Sequence, residues 1–225
     1  KATIKKIVVT SSLAVGGPCT KETPLDESGP FNAVSLYGKA KVAQEMVCAQ
    51  YFDRLPITIA RPSVISGSRE VELFEFIKTV EHGLVPLVGY NDKYLSIINV
   101  KDLVEAFYQM ALVEKTNGQA YYLSAEELVS WKELGEICAN KLGKNPVYLR
   151  LPHFLIRLAG KMAGFFGKLQ GKAPTFDYEK AKEGVQEAWI CKVDKAKKDF
   201  GFKQTVLIKD GVEDAIDWYK KNKWL

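Results

Sequence analysis

A β-branched strand, Ile7-Val8-Val9-Thr10, ends in two serines, Ser11 and Ser12, and 25 residues after Ser12 come Tyr37 and then Lys41 on a helical stretch. The chain then enters a second strand, Ile57-Thr58-Ile59-Ala60, closed by Arg61-Pro62. Strand, loop, helix and strand in this order make a βαβ unit. Ligands of such open sheets gather at the carboxyl ends of the strands. Ser12 lies at such an end. Tyr37 and Lys41, four apart, share one helix face. A hydroxyl, a phenol and an ammonium are thus brought to one place, which is equipment for moving a proton to or from one substrate oxygen.

Spacing alone does not single out Tyr37/Lys41, because Tyr178/Lys182 and Tyr219/Lys223 repeat it. Neither of those follows a strand that ends in hydroxyls, so context selects the first pair. Residues 13–33 carry Gly16-Gly17-Pro18, Pro24 and Gly29-Pro30 and read as a loop. That loop is long for a connector and so a candidate functional one. Ser35 is suited to cap the Tyr37 helix, expected to run to about Phe52. Further on, a turn-rich stretch at 62–68 precedes a helix over 71–81 ending at Gly83. Next come a strand over 94–98, a helix to about Val113, with Asn99 or Asp102 as cap, and a strand over 119–123. Ser130 and Glu133 have capping-box spacing and open a helix ending near Gly143, followed by a brief strand at 147–149. Alternation of this kind indicates an α/β chain.

The 225 residues are 47% apolar and 26% charged, ordinary for a globular protein, and carry a net charge of +5. That charge suits an anionic ligand, and no basic run interleaved with aromatics points to nucleic acid. Cys19, Cys48, Cys138 and Cys191 are scattered, and with His82 and His153 they complete no usual zinc pattern. No metal is expected, and free thiols fit a reducing cytoplasm. No apolar stretch is long enough to span a bilayer.

Residues 152–169 form an amphipathic helix in which Arg157, Lys161 and Lys168 make one stripe, with Phe154, Leu155, Leu158, Met162 and Phe166 mostly elsewhere. Residues 137–176 contain seven Lys or Arg and no acidic residue. A packed helix near a substrate pocket, wet on its basic side, is the favoured reading, and an interfacial membrane helix is the lesser one.

Taken in order, these residues resemble the extended short-chain dehydrogenase/reductase family, also called the NAD-dependent epimerase/dehydratase family. Thr10-Ser11-Ser12 resembles its strand end, Tyr37-Gly38-x-x-Lys41 its Tyr–Lys helix, and Ala60-Arg61-Pro62 the strand before its nicotinamide loop. Asn99-Val100-Lys101-Asp102-Leu103 and the tail from Lys195 to Tyr219 resemble its later elements. The resemblance implies a Rossmann-like doubly wound parallel sheet with a smaller C-terminal α/β substrate-binding region. Residues 1–68 would belong to the dinucleotide-binding domain and 69–225 mainly to the substrate region, with segments near 94–123 returning to the first domain. It implies catalytic roles for Ser12, Tyr37 and Lys41, with Tyr37 as general acid/base and its phenolate favoured by the neighbouring ammonium. Ser11, Tyr37, Lys41, Pro62, Ser63 and Val64 would contact the cofactor, NAD or NADP. A homodimer through the Tyr–Lys helix is expected, with Val42, Met46, Val47 and Ala49 offering apolar surface, and the substrate is a small molecule.

The departures shape the expectation further. Gly16-Gly17 stands where sugar-nucleotide members carry Tyr-Gly, Ser66-Gly67-Ser68 where they carry Tyr-Gly-Pro, and Ala40 where Ser or Thr is usual. These tilt the reading to a hydroxysteroid dehydrogenase-like or ketone reductase-like oxidoreductase with a partly apolar substrate. A sugar-nucleotide epimerase or dehydratase, and a non-catalytic NAD(P)-binding sensor or scaffold, are the alternatives. No Gly-x-x-Gly-x-x-Gly occurs, so the phosphate-cradling turn and the strands before it are expected to lie in a longer polypeptide of which this is the C-terminal portion.

Overall fold

The computed structural model describes residues 4–169 and 176–225. Its elements run β1 (Ile7–Thr10), a 3-10 turn (Leu13–Val15), α1 (Leu36–Ala49), β2 (Ile57–Pro62), β3 (Val64–Ser66) and α2 (Glu72–Glu81). Then come β4 (Leu84–Val88), β5 (Tyr94–Leu95), β6 (Ile97–Asn99), α3 (Val100–Leu112), β7 (Ala120–Leu123), β8 (Val129–Ser130) and α4 (Trp131–Leu142). The chain closes with β9 (Val147–Leu151), α5 (His153–Leu169), α6 (Tyr178–Gly184), β10 (Ala188–Trp189), α7 (Asp194–Phe200) and α8 (Ile208–Lys221).

Three strands form a parallel sheet in the order β1-β2-β7, with Ile7 opposite Ile57 and Ile59 opposite Ala120. All six residues of β2 are buried, as a central parallel strand requires. By contrast β1, at the edge, is half-buried over Ile7–Val9. Two large clusters of buried side chains make up most of the core. One joins α2, β4, α4 and α8 around Ile77, Val85, Leu134 and Ile216. The other joins β2, α3, β7 and α7 around Ala60, Met110, Tyr121 and Phe200.

Several elements differ from the sequence reading, for local reasons. The stretch at 94–98 is two short strands in different sheets: β5 pairs with β8 and β10, whereas β6 pairs with β3. The change of sheet falls at buried Ser96, whose hydroxyl accepts from the Cys191 amide and whose own amide donates to the Trp189 carbonyl. The turn-rich segment after Pro62 contains β3, parallel to β6. Strand β4, not foreseen, pairs in parallel with β9 across more than one intervening helix. Helix α1 stops at Ala49, and the chain turns back through Tyr51 and Leu55 before Pro56, which cannot extend a helix.

The helix caps follow the sequence. Ser130 and Glu133 make both halves of the capping box. Asn99 caps α3 through Lys101 N. Asp102 serves otherwise: its buried carboxylate accepts from the amides of Thr205 (3.1 Å) and Val206 (3.2 Å) and from the Thr205 hydroxyl. It thereby ties the segment before α8 to α3. Since hydrogen bonds to a charged group are worth about 1.5–3 kcal/mol each, Asp102→Ala is expected to cost roughly 3 kcal/mol in urea unfolding. Exposed Val104→Ala on the same helix should cost under about 0.5 kcal/mol; equal costs would refute the tie.

Candidate functional site

The site is built where β1 and β2 end and α1 begins. The Ser35 hydroxyl accepts from Gly38 N at 3.1 Å, which sets the first turn of α1. Gly38 then allows close approach: a Cβ there would lie 2.8 Å from the Ala14 carbonyl oxygen. Ala14 belongs to the 3-10 turn that Ser12 caps, its amide donating to Ser12 Oγ at 3.2 Å. One small residue therefore brings the Tyr37 helix against the Ser12 turn.

Lys41 reaches back across this junction. Its Nζ donates to the Thr10 carbonyl at 2.9 Å and to Gln44 Oε1 at 3.1 Å, and lies 5.9 Å from the centre of the Tyr37 ring. The ammonium is thus held at the carboxyl end of β1. Tyr37 is 55% exposed, with its ring beside that ammonium. Ser11 turns its hydroxyl the other way, donating to Glu45 Oε1 at 2.5 Å in the interior. Pro62 ends β2, Ser63 donates its amide to the Leu123 carbonyl at 2.9 Å, and Val64 opens β3. Ser63 Oγ is buried with no hydrogen-bond partner among the described residues. Among those residues no three His, Cys, Asp or Glu side chains group as a metal set.

The group that sequence reasoning missed is Glu45. It follows Lys41 by one helical turn, and it and Gly38 are the two buried residues of α1. Its carboxylate forms a buried fork with Arg61 at the end of β2, with Nη2 to Oε2 at 2.7 Å and Nε to Oε1 at 2.9 Å. The Arg61 guanidinium also lies over the rings of Tyr122 (5.1 Å) and Phe31 (5.4 Å). Burial works against the charge on Arg61, but Glu45 more than offsets it, and the guanidinium is held above its ordinary pKa. Burial also pushes the Tyr122 phenol up to about 12. The signal was present in sequence as an acid on the inner face of α1 and an arginine closing a strand that is otherwise apolar or hydroxylic.

The long loop after Ser12 is pinned rather than free. Cys19 and Leu25 make bridges to Ala188 and Cys191, and Glu27 Oε1 accepts from Tyr122 N at 2.8 Å. At the other side, Glu179 of α6 accepts from Leu36 N at 2.8 Å, closing the start of α1.

With this geometry in view, comparison with known proteins places the chain. The family model described as GDP-mannose 4,6 dehydratase matches residues 1–215. The chain belongs to that family. It is 30% identical over 175 residues to N-acetyl-alpha-D-glucosaminyl-diphospho-ditrans,octacis-undecaprenol 4-epimerase of Escherichia coli O157:H7, covering 75% of this chain and 52% of the relative. It is 24% identical over 237 residues to 2-alkyl-3-oxoalkanoate reductase of Shewanella oneidensis, covering 93% and 59%. The solved structure of UDP-glucuronic acid 4-epimerase from Bacillus cereus, in complex with UDP-glucuronic acid and NAD, superposes with TM-score 0.76 at 18% identity, covering 98% and 63%. At that identity the likeness is one of fold, and it bears out the Rossmann-like α/β class. The chain spans about half the length of the first curated relatives it matches.

Removing one partner of a buried ion pair costs about 3–5 kcal/mol, whereas replacing both by apolar groups is often neutral. Glu45→Ala is therefore expected to lose that much in urea unfolding, and the double substitution E45M/R61M to recover most of it. A loss below about 1 kcal/mol for Glu45→Ala would show that the pair does not hold the site together. A second expectation concerns Glu27, whose carboxyl burial pushes above the ordinary range. Ionising it is harder in the folded state, so its contribution to stability falls as pH rises from the unfolded value through the folded one. Glu27→Gln, which keeps the acceptor for Tyr122 N, should gain melting temperature over the parent at pH 7 and not at pH 4; a pH-independent difference would contradict this.

Proposed function

We propose that the chain carries the catalytic and substrate-side groups of an NAD-dependent epimerase or dehydratase acting on a sugar joined to a diphosphate. The observation that carries this reading is Lys41, fixed on the Thr10 carbonyl with its ammonium beside the accessible Tyr37 ring. The match to the GDP-mannose 4,6 dehydratase family and the likeness to a 4-epimerase of a diphosphate-linked amino sugar favour this substrate class. They weigh against the hydroxysteroid or ketone reductase expectation drawn from Gly16-Gly17 and Ser66-Gly67-Ser68.

In this reading Tyr37 takes a proton from a sugar hydroxyl and returns it to the carbonyl oxygen, and Ser12 Oγ hydrogen-bonds that same oxygen. Lys41 supplies the field that favours the phenolate and binds ribose hydroxyls. Ser11, Pro62, Ser63 and Val64 border the nicotinamide, and the unpartnered Ser63 hydroxyl suits a polar amide there. When bound, NAD supplies the hydride acceptor and donor. A homodimer through α1 is part of the proposal, supported by the exposure of Met46 and Val47 on that helix.

A second reading, a carbonyl reductase, has the oxoalkanoate reductase relative in its favour. The two separate by nicotinamide absorbance: an epimerase or dehydratase returns the hydride and shows no net change during turnover, whereas a reductase consumes one cofactor per product. For either, Tyr37→Phe in the full-length natural protein is expected to lower kcat on the order of 100-fold or more with NAD binding kept. Unaltered turnover would sink both.

A further inference from the structure

Helix α5 is inside out. Among the described side chains of α5 Gly160 is the buried one, packed so tightly on α6 that a Cβ there would lie 2.6 Å from the Asp177 carbonyl oxygen. The opposite face, which a surface helix ordinarily makes polar, carries Phe154, Leu158 and Met162 in one i, i+4 stripe. They are 66%, 51% and 52% exposed, with Leu155 beside them. Arg157 and Lys161 flank the stripe and are both exposed, with Lys161 Nζ over the Tyr178 ring of α6, 5.3 Å from its centre. The expectation of an apolar side packed inward is therefore corrected at Phe154, Leu158 and Met162, while Arg157 and Lys161 are exposed as expected. The side chains of Phe166 and Lys168 lie outside the described residues.

The strand leading into α5 also leaves apolar residues uncovered. In the parallel pair β4–β9, Val85 and Leu87 are buried on one face. On the other, Leu84, Pro86 and Val88 stand opposite Val147, Leu149 and Leu151. All six are apolar and none is buried. The surrounding stretch, 137–176, has seven basic residues and no acid.

We propose that the outer side of α5 docks on an anionic phospholipid surface. The apolar stripe would enter the headgroup boundary, and Arg157 and Lys161 would lie against the lipid phosphates. A protein partner with an apolar patch would account for the stripe, but an exposed basic flank, in a segment whose Lys141 and Arg150 alone are ion-paired among the described residues (with Asp217 and Asp92), is complementary to a surface whose charge is negative everywhere. No helix of the described residues is long and apolar enough to cross a membrane. Its place matters for the site, since α5 packs on α6 and α6 caps the first turn of α1 beside Tyr37. The inference does not depend on the substrate proposed above.

The test is flotation of the full-length natural protein with vesicles of phosphatidylcholine alone and of phosphatidylcholine with one quarter phosphatidylglycerol. Flotation with the anionic vesicles and little with the neutral ones is expected. R157Q/K161Q should lower the partition coefficient about 30-fold, as removal of two basic contacts implies. F154Q/L158Q should lower it on the order of 10-fold or more. Equal flotation with both vesicle types, or flotation unaffected by either double substitution, would overturn the proposal. So would absence of flotation, whether F154Q/L158Q splits a dimer in sedimentation (a second copy covers the face) or leaves the mass unchanged (another segment or a protein partner does).

Discussion

The buried ion pair between Glu45 and Arg61 is the interaction on which the candidate site depends. It joins the middle of α1 to the end of β2, and Ser11 adds the end of β1 through its hydroxyl. Three elements that carry the proposed catalytic and cofactor groups are thus tied at one point, beneath the surface on which Tyr37 and Lys41 lie. Such a pair contributes little net stability because both ions are desolvated. What it supplies is register: a two-toothed fork between guanidinium and carboxylate fixes angle as well as distance.

Much of this is legible in the sequence. The βαβ unit, the strand end at Ser12, the Tyr37 helix and the caps at Ser35 and Ser130, with Asn99 as one of two candidates for α3, follow from residue type and spacing, which act over a few positions. What escaped the sequence acts at long range. The pairing of β4 with β9 and the passage of the chain between sheets at Ser96 are set by tertiary partners, and short apolar runs look alike whichever partner they find. Glu45 escaped for a different reason. A glutamate on a helix rich in lysine is usually solvated, and its burial becomes evident only when Arg61 is seen to need a counter-charge.

The substrate reading shows the same division. Gly16-Gly17 and Ser66-Gly67-Ser68 depart from the sugar-nucleotide pattern, and taken alone they argued for a more apolar pocket. In the structure a Cβ at Gly16, one of the residues that depart, would run into the Tyr122 hydroxyl and the Leu25 side chain, so that departure answers to packing within the chain and says less about the substrate than it did in the sequence. Gly17 and Gly67, at φ 78 and 141, keep the glycines of the pattern and meet the backbone demands of the two loops. The family match over residues 1–215 weighs more, because it draws on the whole chain.

Helix α1 shows how a site can be positioned without a hydrophobic stripe. It buries Gly38 and Glu45, and leaves Leu36, Tyr37, Met46 and Val47 exposed. Apolar burial is non-directional and would let such a helix slide or roll. Directional contacts hold it instead: the Ser35 cap, the Gly38 approach to Ala14, the bond from Lys41 to Thr10, and the Glu45 fork. These fall at positions 35, 38, 41 and 45, one per turn along a single face. The face that meets the sheet is therefore chosen by polar and close-packing contacts. The same periodicity that sets the helix against β1 and β2 sets the Tyr37 ring beside the Lys41 ammonium.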